Sequence, residues 1–537
     1  MNDTEFNLID EPWIRVIDKS CNVIEVSLKD AILNAHEYRA LGGELPTQDV
    51  AVMRLILAVL HTVISRYNIN SEYSALEKNK KTALKRWKAW WDNGKFPEKA
   101  VSDYLGKWHE RFWLFHPERP FFQVAGLKKG TKNESKKLNG EISESKNKKR
   151  FFSAYSYSEK EKITYSQAAR WLIYLNAFDD VSLKGDKENK MKAGGKLPTA
   201  KRGWLGQLGL IHLVGNNLFE TLMMNLVMIC DDVVQFEQNP IWENDIVSDS
   251  ERTLKNVPTN LAELYTVQFR RVLLDRNGKY VCGYTVLAGD YFSDDLAYKE
   301  PMTLWKKIDE KTKEIIPRRH DPSKQMWREF SVLYNENDNN QRAGIIIWYT
   351  LIKDYFNRPM RTNIVSVVYD EKQATSLPVK NVFSDSLTMH SAILSELGKG
   401  WRSSIETEIK HCDELAGAIS RLAQNLYVAS GGSNSSKNER FKAVANDAKE
   451  QLYYRLDVPF REWLRSIEPK SSEKEKQDKI TEWKKTAKNT AMRYADELIA
   501  DQPEIALIGH SIDSEIYSAP KAKNIFISNV KEIYKRK

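Results

Sequence analysis

The last third of the chain constrains its fold most. Phe441, Ala445, Ala448, Leu452 and Leu456 recur every three to four residues, and Trp483, Ala487, Ala491, Tyr494 and Leu498 do the same. A stripe with that period lines one face of an α-helix and must be buried against a neighbour. Polar breaks fall at Ala429–Ser436 (ASGGSNSS), Glu468–Lys476 (EPKSSEKEK) and Asp501–His510 (DQPEIALIGH). Amphipathic helices joined this way predict a helical bundle, with small alanines letting the helices approach closely. The helical pattern is expected to run from just after Pro378 almost to the end.

Upstream the periodicity is mixed. NLIDEPWIRVID with CNVIEVSL alternates around a turn and predicts a hairpin, whereas DVAVMRLILAVLHTVIS has helical spacing and predicts a buried helix. QFRRVLLDRNGKYVCGYTVL predicts a hairpin around Asn277-Gly278. A chain of 537 residues exceeds one core, since single cores stop growing near roughly 250–300 residues. The expected class is therefore α+β, with a mixed α/β body over 1–378 and an all-α bundle over 379–537.

Lys128–Arg150 carries nine basic and three acidic residues, and its composition predicts a solvated loop or a flexible arm that touches phosphates. Lys184–Lys201 is a second basic loop, containing KAGGKLPTAK. The whole chain has 82 Lys and Arg against 73 Asp and Glu, a net charge of +9, so any polyanion-binding face is local. Four cysteines, Cys21, Cys230, Cys282 and Cys412, lie far apart without a metal-ligand spacing, which suits a reducing cytosol. The N-terminus lacks a basic segment followed by an apolar run. The apolar region Leu205–Cys230 contains too many polar groups for a membrane span and predicts a short strand followed by a helix that starts at Asn217, with Glu220 at the third position. A cytoplasmic protein without a membrane segment is expected.

The phosphate-binding, zinc-protease and nucleophile-elbow motifs are absent. His320-Asp321 resembles a metal-binding pair but lacks partner histidines, and an Asp before Pro322 is an ordinary turn. Asp179-Asp180, Asp231-Asp232 and Asp294-Asp295 are doublets, and neighbouring side chains on a helix diverge by about 100°. No active site, metal or cofactor is predicted.

Several segments in order resemble the CasA family, the large subunit of the type I-E CRISPR surveillance complex Cascade. They are LIDEPWIRV (Leu8–Val16), HPERPFFQV (His116–Val124), GWLGQLGLIHLVGNNLFETLMMNLV (Gly203–Val227) and NPIWE (Asn239–Glu243). The resemblance implies a non-catalytic subunit with a C-terminal four-helix bundle. Such a subunit binds the 5′ handle of the guide RNA, recognises the PAM of double-stranded DNA from the minor groove and starts strand separation. Its implied partners are the backbone subunits, the small-subunit dimer, the handle-binding subunit and a recruited helicase–nuclease.

Three loops acquire roles from this resemblance. VVYDEKQATSLP is similar to the loop with the family's glutamine wedge, which puts Gln373 at the tip between Lys372 and Ala374. An uncharged amide can enter a base step and satisfy base edges, offsetting an unstacking cost of a few kcal/mol. Ala193–Lys196 (AGGK) is similar to the glycine loop at the minor groove. There Gly194 and Gly195 would let the backbone approach the bases, and Lys190, Lys192, Lys196 and Lys201 would meet phosphates. RFFSAYSYS corresponds to the element on the RNA handle, with Phe152, Ser153, Ala154 and Tyr155 as contacts, although alanine stands where an asparagine is expected. The PAM-reading lysine has no counterpart in GYTVLAGDYFSDDL, where Lys279 and Lys299 are the nearest substitutes. Two other classes stay open: a stand-alone metal-dependent nuclease using Asp179, Asp180 or His320-Asp321, and a helical scaffold without nucleic acid.

Overall fold

A computed structural model describes residues 4–144, 155–180, 202–245, 258–290, 292, 300–307, 315–334, 340–356, 359–369, 379–395, 398–512 and 515–535. The chain forms two compact units, one comprising Met1–Ser323, Asn335–Phe356 and Arg361–Ser386, the other Lys324–Tyr334, Asn357–Met360 and Leu387–Lys537.

The first unit is mixed α/β. Its central helix, Pro46–Arg66, starts with proline in the first turn and is apolar around its circumference, so it is buried on nearly every side. It is long and apolar enough to cross a membrane, yet here it is a core helix. The expected opening hairpin pairs Ile14–Ile17 with Val23–Val26. Arg270–Asn277 pairs with Tyr280–Ala288 across a tight turn in which Gly278 has φ +59°, a left-handed conformation that glycine adopts without strain. Asn217 caps the helix Leu218–Asn225, its side chain accepting from the Glu220 N–H at 2.8 Å, as the spacing predicted.

Two expectations need correction. Within Lys128–Arg150, Thr131–Glu134 is a strand on Tyr280–Ala288, and Ser135–Leu138 is a helical turn. Leu138 and Ile142 are buried, so a few anchors in a polar stretch outweigh its composition. Residues 379–389 are not helical either: Val379–Met389 is a strand beside Met360–Tyr369, whose other neighbour is Leu210–Val214. Leu387 and Met389 are buried two residues apart, the period of a strand.

The second unit is helical. Its four long helices are Lys399–Ala429, Glu439–Arg465, Glu473–Ala500 and Ala519–Ile533. Asn438, Ser472 and Ser518 cap the last three, and Ser472 with Glu475 forms a reciprocal capping box. Trp463 and Trp483 stack at 5.4 Å in the core. Trp327, from the preceding Met326–Leu333 segment, stacks on Phe460 at 4.3 Å and donates to Asp457 at 2.8 Å.

Candidate nucleic-acid interface

The strand Met360–Tyr369 lies in the middle of its sheet, where its β-branched residues suit burial on both faces. At its end, the buried Tyr369 donates its phenol hydrogen to the Phe178 carbonyl at 2.6 Å. Burial holds that phenol well above its usual pKa, so it is a neutral donor. Phe178 closes the helix Tyr165–Phe178, which begins in a capping box of Thr164 and Gln167. The Gly203 N–H donates to the Asp179 carbonyl at 2.9 Å, and Arg202 sits 4.7 Å from the centre of the Tyr369 ring. Close approach explains two glycines. A Cβ on Gly203 would come within 2.4 Å of the Ala177 carbonyl carbon, and one on Gly206 within 2.1 Å of the Tyr369 hydroxyl. The two ends of segment 181–201 and the first end of 370–378 therefore converge.

A third segment joins them through an arginine doublet on one strand. Buried Arg270 pairs with the Asp179 carboxylate and donates to the Asp180 carbonyl at 2.8 Å. Buried Arg271 pairs with Asp290 at 2.6 Å, and the Asp290 N–H donates to the Gln268 carbonyl at 2.9 Å. Phe292 packs edge-on against Trp204 at 4.7 Å. The Trp204 indole donates to Glu300 at 2.8 Å, and Glu300 accepts two 2.8 Å bonds from Arg54. Arg54, Arg270 and Arg271 each face a carboxylate, as burial of a charge demands. The residues flanking segments 181–201 and 293–299, and Tyr369 before segment 370–378, thus share one cluster of hydrogen bonds, ion pairs and ring contacts.

Most of the residues named from sequence are in those segments. Gln373, Lys372 and Ala374, and Gly194, Gly195 and Lys196, lie outside the described residues, as do Phe152, Ser153, Ala154 and Lys299. Tyr155 is half-buried, and its phenol bonds to the Glu141 carboxylate; burial and that carboxylate push its pKa up to about 12. Lys279 is exposed in the hairpin turn. Sequence reasoning missed Tyr369, Arg270, Arg271 and Asp290. The available signal was the Arg-Arg pair inside the apolar run QFRRVLL, because charges in a core strand require buried partners.

The residues considered for a nuclease have other work. Asp179 holds Arg270. His320 is buried with Nε2 3.0 Å from the Leu210 carbonyl, and burial pushes its pKa down to about 4. Asp321 accepts from the Ser323 N–H at 3.0 Å and hydroxyl at 2.7 Å, an ordinary Asx turn. Among the described residues no group of three or more His, Cys, Asp or Glu is placed to hold a metal ion. NPIWE is also architectural: Glu243 accepts from Arg66 at 2.9 and 2.7 Å and from the Tyr104 hydroxyl at 2.7 Å.

The profile of the family described as CRISPR-associated protein Cse1 matches residues 7–494. The CRISPR-associated protein CasA/Cse1 of Thermus thermophilus is 28% identical over 483 residues, covering 87% of this chain and 88% of that protein. The crystal structure of Thermobifida fusca Cse1 is similar with a TM-score of 0.83 at 25% identity, covering 99% of this chain and 98% of that one. A chain described as a CRISPR RNA-guided surveillance complex shares the fold, with a TM-score of 0.70 at 16% identity and coverage of 98% and 99%.

Proposed function

Because the chain belongs to the CRISPR-associated Cse1 (CasA) family, the large subunits of the Cascade surveillance complex, we propose that it recognises the PAM of double-stranded DNA, starts strand separation for guide-RNA pairing and helps recruit the helicase–nuclease. The supporting observation is the convergence at Tyr369. The two segments that carry the family's glycine loop and glutamine wedge start from contacting residues, Phe178, Arg202 and Tyr369. A minor-groove reader and a wedge have to act on adjacent base pairs, so a shared, rigid base is what such a device needs.

Gly194 and Gly195 press the backbone against the minor groove while Lys196 and Lys372 meet phosphates. Gln373, flanked by Ala374, enters the base step beside the PAM. Base pairing with the guide then reads the sequence, and the protein contributes no catalytic step. Phe152 to Tyr155 contact the RNA handle. The bundle meets the small-subunit dimer, and the backbone and handle-binding subunits complete a cytoplasmic assembly.

The test is capture of duplexes with randomised PAM positions by the complex reconstituted with guide RNA. Enrichment of a short defined motif next to the target, lost when this subunit is omitted, is expected. Equal capture of all motifs contradicts the reading, and metal-dependent cleavage by the subunit alone would favour the nuclease.

A further inference from the structure

A cavity of ≈ 50 Å³ is lined by Arg111 and Arg119, with Phe121 and Trp242 among its walls and Gln268 and Asp245 also lining it. By the volume one water needs, it has room for roughly four water-sized atoms, enough for a tetrahedral oxyanion.

The fold places both arginines at the cavity wall. His116 Nδ1 accepts the N–H groups of Glu118 and Arg119 at 3.1 and 3.0 Å, which fixes the turn carrying Arg119. Arg111 donates to the Asn244 carbonyl at 2.9 Å. Arg119 has no ion-pair partner among the described residues. Burial and the Arg119 charge both lower the Arg111 pKa, and Asp245 counters them only in part. Like charges brought near each other at a cavity repel, and an anion between them relieves that repulsion. Gln268 is 4% exposed, and its side-chain oxygen has no hydrogen-bond partner. An amide can turn its NH2 group toward an anion. Two guanidinium groups outnumber the single Asp245 carboxylate at this space, and the amide adds a donor once turned.

We propose that Arg111, Arg119 and Gln268 form a phosphate site that takes one backbone phosphate of the target DNA, an assignment that rests on the DNA-reading role above. The choice of DNA follows from position. Gln268 lines the cavity, and its carbonyl accepts the Asp290 N–H of the loop-root cluster. A phosphate held here fixes the duplex relative to those loops and adds affinity without sequence information.

The experiment uses the complex reconstituted with guide RNA and target duplexes in which single phosphates are replaced by neutral methylphosphonates. Arg119→Gln, at an exposed position, should reduce the slope of log affinity against log salt by about 1 while leaving the preferred PAM unchanged. Arg111→Gln should do the same. One methylphosphonate position should weaken wild type yet leave Arg119→Gln unaffected. Equal methylphosphonate penalties in wild type and variant at every position would overturn the proposal, as would unchanged salt slopes in both variants. Saturable competition by inorganic phosphate on wild type, absent in Arg119→Gln, without any such coupled position would assign the cavity to a free phosphate instead. If wild-type capture itself shows no PAM dependence, the DNA-reading role fails as well. PAM-dependent capture with unchanged slopes sinks the phosphate site alone.

Discussion

The phenol of Tyr369 and the carbonyl of Phe178 are joined by a 2.6 Å hydrogen bond between a strand end and a helix end that are 191 residues apart in sequence. Removing that donor should loosen both loop roots. Tyr369→Phe is expected to cost about 1 kcal/mol of stability, while Gly206→Ala, which drives a methyl group into the same hydroxyl, should cost about 1–3 kcal/mol. Both should reduce PAM-dependent capture more than assembly with guide RNA. Denaturant midpoints and capture assays on the two variants check this.

Asp179 and Arg270 form a buried ion pair at the root of segment 181–201. Asp179→Ala leaves the guanidinium buried without its carboxylate partner, so a loss of about 3–5 kcal/mol is expected. The loss should be the same with or without divalent metal. A variant of normal stability that had lost a metal-dependent nuclease activity would contradict this assignment.

Acid should destabilise the first unit through the buried His61 and His320 and the partly buried His212. Burial lowers the pKa of His61 to about 3, and of His212 and His320 to about 4, from the ordinary 6.5. Below pH 6.5 the unfolded chain takes up protons that the folded chain refuses. Stability is thus fully present above that pH and falls as pH drops toward 4, by up to about 1.4 kcal/mol per pH unit for each histidine. His61 has no hydrogen-bond partner at either ring nitrogen. Comparing urea midpoints at pH 7 and pH 5 for wild type and His61→Leu should show a smaller drop in the variant.

Trp327 lies before the bundle helices in sequence but stacks on Phe460 within the second unit. Trp327→Ala should cost about 3–5 kcal/mol there. For the same reason, a fragment starting at Leu387 should melt below one in which Lys324–Tyr334 is retained, as thermal unfolding followed by tryptophan fluorescence would report.

Local chemistry made part of this fold legible. Asn277-Gly278 announced a hairpin because few residues tolerate its turn, and Asn217 announced a helix start because its side chain satisfies a free N–H. The bundle was visible through its 3.6-residue period. Long-range partners were not. Thr131–Glu134 looks like solvated loop until Tyr280–Ala288 supplies its hydrogen bonds. Val379–Met389 hides its strand character because only a few of its side chains are buried. The loop-root cluster joins residues from widely separated stretches, and no local pattern encodes such a meeting. The roles proposed for Gln373 and the glycine loop rest on family resemblance, since a polar turn and a glycine-rich loop are chemically ordinary on their own.

The most direct measurement compares wild type with Gln373→Ala on two duplexes in the reconstituted complex. One is fully paired beside the PAM, and the other carries a mismatched bubble at the first base pairs of the target. If Gln373 is the wedge, the variant should open the paired duplex far more slowly, and the bubble should restore wild-type rates because unstacking is already complete. Equal opening of the paired duplex by both proteins would contradict the account.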